Sequence, residues 1–225
     1  MRLVEFADLV ARAAALPRGR RALLGITGSP GAGKTTLAVA LLSALRARLG
    51  ADAVAHVPMD GFHLADVALR GLGLLDRKGA PETFDAAGYV ALLRRLRDGS
   101  GDTVYAPLFE RDLEQPLAGA LPVPPAARIV LTEGNYLLLD EGRWRDVRAA
   151  LDEVWFCELR PDVRLERLVA RHVAFGKEPE RARAWVAAVD EANAALIEAT
   201  RDRADLVVPS AVLEHLPPEA GASAG

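Results

Sequence analysis

Between Ala22 and Leu49 the chain runs through a short apolar stretch, Ala22 to Thr27, then eight residues rich in glycine. A pattern with Leu37, Ala38, Val39, Leu41, Leu42 and Leu45 at helical spacing follows. Strand, glycine loop, helix is the reading, and it constrains the fold more than any other feature. The loop itself, Gly28-Ser29-Pro30-Gly31-Ala32-Gly33-Lys34-Thr35, fits G-x-x-x-x-G-K-[ST] and is followed by Thr36. Glycines there let successive backbone N–H groups turn inward on a polyphosphate, and the helix N-terminus adds the positive end of its dipole. Lys34 is placed to neutralise the β and γ phosphates, and the Thr35 hydroxyl to hold Mg2+. Neither a guanine-reading Asn-Lys-x-Asp nor a transporter Leu-Ser-Gly-Gly occurs, which leaves ATP-driven machines and phosphotransferases.

The remaining chain alternates strand and helix patterns. Leu3, Phe6, Leu9, Val10, Ala13 and Ala14 predict a leading amphipathic helix within residues 1–21. Strands are expected at Ala53 to Pro58, Thr103 to Ala106, Arg128 to Thr132, Trp155 to Leu159 and Leu206 to Val208. Helices are expected up to Arg97 from a cap near Asp85, and over Val163 to Phe175 and Glu180 to Ala199. Phe109 to Gln115 reads as a polar segment and Pro116 to Pro125 as a proline-rich passage, while the tail over 210–225 reads as frayed. Such alternation predicts an α/β fold, a mostly parallel sheet covered by helices on both faces. With 225 residues and no linker or repeat, a single domain is expected.

Composition narrows the function classes. Twenty-eight basic against 31 acidic residues give a net charge of −3, so nothing drives the chain toward nucleic acid or an anionic membrane. Cys157 is the lone cysteine and sits in an apolar run, so a reducing cytoplasm is the expected compartment. Only Lys34, Lys78 and Lys177 are lysines among the 28 basic residues, and only Asn135 and Asn193 are asparagines. Each of these five is therefore informative, whereas arginine clusters carry less weight.

Two acids stand at expected strand ends, where doubly wound folds keep their chemistry. Asp60 can take a hydroxyl proton or hold a metal. Glu133, closing the apolar strand ahead of Gly134-Asn135, occupies a metal-binding position like that of a Walker B acid. His63 reads as either an acceptor contact or a structural side chain. Arg111 and Glu114 lie in a polar block that reads equally as acceptor contact or solvated loop. Arg164, Arg167 and Arg171, spaced i, i+3, i+7, share one face of a helix that can close over a triphosphate, with Gly176-Lys177 as a hinge.

Five ordered blocks, the glycine loop, Val57 to His63, Arg77 to Asp85, Val104-Tyr105 and Thr132 to Asn135, resemble the superfamily of uridine kinase, phosphoribulokinase and bacterial-type pantothenate kinase. Its nucleoside or nucleotide kinase-like branch, which includes fructose-transport-associated kinases, is the nearest in pattern. The resemblance implies a P-loop NTPase three-layer fold with a helical lid over 161–185. It makes Asp60 the catalytic base and metal neighbour, and Glu133 the partner of Thr35 at Mg2+. Asp85 would contact acceptor hydroxyls, Tyr105 would line the acceptor pocket, and Arg167 and Arg171 would be the lid arginines. The expected activity is Mg2+-dependent transfer of the γ-phosphoryl group of ATP to a hydroxyl of a small metabolite such as a nucleoside, sugar or pantothenate-like alcohol. A nucleoside monophosphate kinase, with Arg77 and Lys78 supplying the basic pocket, and an ATP-dependent regulatory switch are the alternatives. A homodimer is left open.

Overall fold

The structure, a computed structural model, describes residues 4–17, 19–99 and 101–216. Leu3, Arg18 and the tail beyond residue 216 lie outside them. In chain order the elements are α1 (Phe6–Ala14), β1 (Ala22–Thr27), α2 (Lys34–Leu49), β2 (Val54–His56), α3 (Asp66–Leu72) and α4 (Ala86–Asp98). Next come β3 (Val104–Glu110), β4 (Gln115–Val123), β5 (Ile129–Glu133), α5 (Arg145–Ala150), β6 (Glu153–Cys157) and α6 (Pro161–Ala174). The chain closes with α7 (Pro179–Trp185), α8 (Glu191–Glu198), β7 (Leu206–Val208) and α9 (Ser210–Leu213).

Five strands form one parallel sheet in the order β2-β5-β1-β6-β7. Side chains of a strand alternate between faces, and here both faces are apolar. Leu23, Val130, Val154 and Phe156 join the core under α4, α5 and α8. Leu24, Ile26, Ile129, Leu131, Trp155 and Cys157 join the core under α1, α2 and α9. Two buried faces explain the continuous apolar runs of β1 and β5, and the result is the three-layer α/β architecture expected from the sequence.

Register places the chemistry. Ile26 pairs with Glu133, so the carboxylate at the end of β5 lies beside the point where β1 runs into the glycine loop. On the other side of β5, Val57 N–H bonds the Leu131 carbonyl at 2.8 Å, which carries the chain to Asp60 at the same edge of the sheet.

Four expectations need correction. The segment read as a short strand, a polar stretch and a proline-rich passage is instead an antiparallel ribbon, β3 with β4, separate from the main sheet. Prolines are tolerated there because each strand of a two-stranded ribbon is an edge, where no ladder hydrogen bond is lost. The expected helix over Glu180 to Ala199 is interrupted by a π-helical turn, Val186–Asp190. The expected strand Trp155 to Leu159 runs from Glu153 to Cys157. Finally, Ser210 to Leu213 is a helical turn with Val212 and Leu213 buried, so that part of the tail is packed.

Candidate active site

The glycine loop begins with Gly28 at the end of β1 and closes with Gly33, the residue before α2, at φ 85°. This left-handed conformation costs an L-residue with a side chain energy that glycine avoids. It turns the chain so that α2 opens with its N–H groups toward the loop. Lys34, the first residue of α2, is buried, and its Nζ donates to the carbonyls of Gly28 at 2.9 Å and Ser29 at 3.1 Å. Burial draws its pKa below the ordinary lysine value, and the carboxylates of Glu133 and Asp60 act in the opposite sense. The loop is braced from outside, since Ser29 Oγ donates to Glu198 Oε1 at 2.5 Å. Arg164 donates to the Pro30 carbonyl at 3.3 Å and pairs with Glu191.

Facing the loop, Thr35 Oγ1 donates to Glu133 Oε1 at 3.2 Å. A hydroxyl and a carboxylate are hard oxygen donors already within one bond of each other, the donor type Mg2+ takes from proteins. Among the described residues no three His, Cys, Asp or Glu side chains gather as a metal centre. Asp60 stands in the 3-10 turn Met59–Phe62. His63, just beyond, has Nδ1 2.8 Å from the Asp60 carbonyl oxygen, which fixes Nδ1 as the donor. Its ring lies against Phe84 and Phe109, centroids 4.0 and 4.6 Å away. Burial lowers its pKa, against the influence of Asp60.

Lys34, Thr35, Asp60, His63 and Glu133 line one cavity of about 460 Å3, together with Asn135, Arg111 and Glu114. The side formed by α6 to α8 supplies Arg171, His172, Phe175, Lys177, Trp185, Asp190 and Asn193 to the same cavity. Arg171 is close enough to Lys34 to lower its pKa. Arg167 lies over the loop, its guanidinium 3.5 Å from where a Cβ on Gly33 would stand. Arg164 departs from the expected lid face: it is buried under the loop and braces it. His172 Nε2 and Asp190 Oδ2 are 2.9 Å apart, a pair joining α6 to the π-helical turn. No local pattern reveals it, because the partners are 18 residues apart.

Two residues offered to the acceptor by resemblance do not line this cavity. Asp85 caps α4, its Oδ1 accepting from Gly88 N–H at 2.8 Å. Tyr105 is 59% exposed on β3. Arg77 and Lys78 are committed elsewhere: Arg77 pairs with Glu82 at 2.6 Å. Lys78 bonds Asp66 at 2.8 Å and the Glu114 carbonyl at 2.5 Å, although it still borders the cavity. No helix among the described residues is long and apolar enough to cross a membrane.

Comparison with known proteins agrees with this geometry. Residues 23–216 match the Phosphoribulokinase / Uridine kinase family. A Schizosaccharomyces pombe protein provisionally named a uridine kinase is 34% identical over 168 residues, 72% of this chain and 70% of its own length. A pantothenate kinase of Lactococcus lactis is 28% identical over 217 residues, 86% of this chain and 70% of its own. Among solved structures, one from Silicibacter sp. TM1040, provisionally described as a fructose transport system kinase, superposes with a TM-score of 0.83. It shares 40% identity, over 92% of this chain and 100% of that one. A glycine loop opening α2 beside β5 and the match over most of the chain lead to one conclusion: the protein belongs to the phosphoribulokinase and uridine kinase family and is a kinase.

Proposed function

We propose that the protein transfers the γ-phosphoryl group of ATP, with Mg2+, to a hydroxyl group of a small metabolite. The observation that carries this reading is one cavity in which Lys34 and Thr35 of the glycine loop face both Asp60 and Glu133. In-line transfer needs positioning and charge neutralisation more than covalent chemistry. Lys34 and the loop amides cradle the phosphates, and Arg171 and Arg167 cover them from the lid side. Thr35 and Glu133 would hold a divalent metal, which would supply positive charge to offset that of the phosphates. Asp60 takes the acceptor's hydroxyl proton as the new P–O bond forms and the bond to the β-γ bridging oxygen breaks. ADP leaves with the pair of electrons from that bond.

His63 serves this arrangement by orientation. Its Nδ1–H is committed to the Asp60 backbone, so its other nitrogen is left as an acceptor for an acceptor hydroxyl. A reducing, ATP-supplied compartment such as the cytoplasm suits the buried thiol of Cys157, whose pKa is pushed up to about 12 by burial.

Recognition of a nucleoside monophosphate by Arg77 and Lys78 is disfavoured, because both are already paired with acids. A slow ATPase switch would have no use for a cavity that extends past the acids to Asn135 and Asn193. The test is a thermal-shift screen of alcohols, sugars, nucleosides and vitamins in the presence of a nonhydrolysable ATP analogue and Mg2+. A ligand at 100 times its Kd raises apparent stability by about 2.7 kcal/mol. At least one metabolite is expected to raise Tm and, with ATP, to accelerate ADP release above the water background. A flat response across the panel would favour the switch.

A further inference from the structure

All three lysines of this arginine-dominated chain border a single cavity, and so do both of its asparagines. Their surroundings differ. Lys34 belongs to the glycine loop. Lys78 is neutralised by Asp66 and spends a further bond on the Glu114 carbonyl. Lys177 has no carboxylate partner among the described residues, and its Nζ rests 5.0 Å from the centroid of the Trp185 ring. Arg111 is alike: among the described residues it pairs with no carboxylate, and its guanidinium carbon lies 6.0 Å from the centroid of Phe175. An aromatic face attracts a cation without cancelling its charge. Two positive charges without a direct ion-pair partner among the described residues therefore border the cavity.

They enter the cavity from segments other than the glycine loop. Arg111 follows Phe109, the ring stacked on His63, and so continues the wall that begins at Asp60. Lys177 follows the end of α6, and its ring partner Trp185 is 6.5 Å from His172, itself paired with Asp190. Of the acids that line the cavity, Glu133 bonds Thr35 and Asp190 lies 2.9 Å from His172, and among the described residues neither Asp60 nor Glu114 forms an ion pair with Arg111 or Lys177.

We propose that the acceptor alcohol carries an anionic group, a carboxylate or a phosphomonoester, away from its reacting hydroxyl, and that Arg111 and Lys177 read that group. Arg111 suits it by forked donation and Lys177 as a compact point charge. This rests on the kinase reading above and deepens it.

The experiment is steady-state phosphoryl transfer with matched pairs of probes: glycerate and glycerol, pantothenate and pantothenol, ribose 5-phosphate and ribose, uridine monophosphate and uridine. Each is run with the intact protein, with Lys177→Met and with Arg111→Gln. The anionic member of at least one pair is expected to be the better acceptor. The carboxylate and phosphate pairs tell the two chemistries apart. Each variant should raise the KM for that probe by about 10- to 100-fold with the KM for ATP within about twofold. Lys177→Arg should recover most of the loss, and the probe's KM should rise with added salt in the intact protein.

Transfer to a neutral member with equal or better efficiency, untouched by either variant, would overturn the proposal while leaving the kinase standing. A rise in the KM for ATP instead would reassign the two cations to the nucleotide and overturn it as well. Failure to phosphorylate any acceptor, with ATP consumed only against water, would strike the kinase reading itself.

Discussion

His56 closes β2 with its Nε2 buried and without a hydrogen-bond partner among the described residues. Burial, helped by the charge of Arg46, lowers its pKa from 6.5 to about 4. The unfolded chain therefore binds a proton below pH 6.5 that the folded chain refuses until about pH 4. The contribution is present at neutral pH and is lost as pH falls through that window. Between pH 7.5 and pH 5 this one residue is expected to remove about 2 kcal/mol of stability. Urea unfolding at the two pH values checks it: His56→Leu should show a correspondingly smaller pH dependence than the intact protein, and equal slopes would refute the assignment. Residue identity was also where the sequence spoke most clearly about the site. A chain that writes nearly every cation as arginine keeps its lysines for reasons, and Lys34, Lys78 and Lys177 meet at one cavity. Asp85 is the cap that the sequence pattern predicts, and it does not line the cavity where the resemblance placed it. Its carboxylate satisfies an open N–H at the start of α4, a task that the same residue type performs at helix starts generally.

Elements carried the next layer of information. Strands buried on both faces, and helices with a stripe facing them, were legible because their apolar periods are strong, as in β1, β5 and α4. The ribbon of β3 and β4 was not, because the middle of β4 is exposed on both sides and prolines punctuate it, leaving no alternation to read. Its function in the fold is to back the Asp60 turn: a Cβ on Gly61 would stand 2.3 Å from the Pro107 carbonyl oxygen. Gly61→Ala must therefore push the turn off the ribbon. It is expected to cost about 1–3 kcal/mol in denaturant unfolding and to reduce turnover by displacing Asp60. An undisturbed rate would mean that the ribbon does not position the acid. Helix α6 was legible as a helix, yet the division of labour along it was not. Arg164 lies beneath the loop while Arg171 borders the cavity, because the helix packs on the loop at its first turns and opens toward the cavity later. Arg164→Ala should destabilise the protein by about 1–3 kcal/mol through lost charged hydrogen bonds and weaken ATP binding. Arg171→Ala should spare stability and lower kcat, and a titration of the nonhydrolysable nucleotide alongside thermal unfolding separates the two.

Across the whole molecule, the site exists because a parallel sheet brings distant segments to one edge. Residues 28–35, 60 and 133 are scattered along the chain, but β1 lies beside β5 and β5 beside β2, so their C-terminal ends open into the same crevice. The opposite wall comes from α6, the π-helical turn and α8, which also brace the glycine loop through Arg164 with Glu191 and through Ser29 with Glu198. A loop braced in this way suits a reaction driven by positioning. Sequence order predicted this arrangement for the phosphate side, where one contiguous motif carries the chemistry. The acceptor side depends on contacts between remote segments, and no local pattern encodes those. The most direct measurement follows γ-labelled ATP, with and without Mg2+, in the presence of pooled alcohol metabolites and either the intact protein or Asp60→Asn. Label is expected to appear in an organic phosphate only with Mg2+, and the rate should fall by about 100-fold or more in the variant. Label released solely as inorganic phosphate, at the same rate by both proteins, would contradict the account.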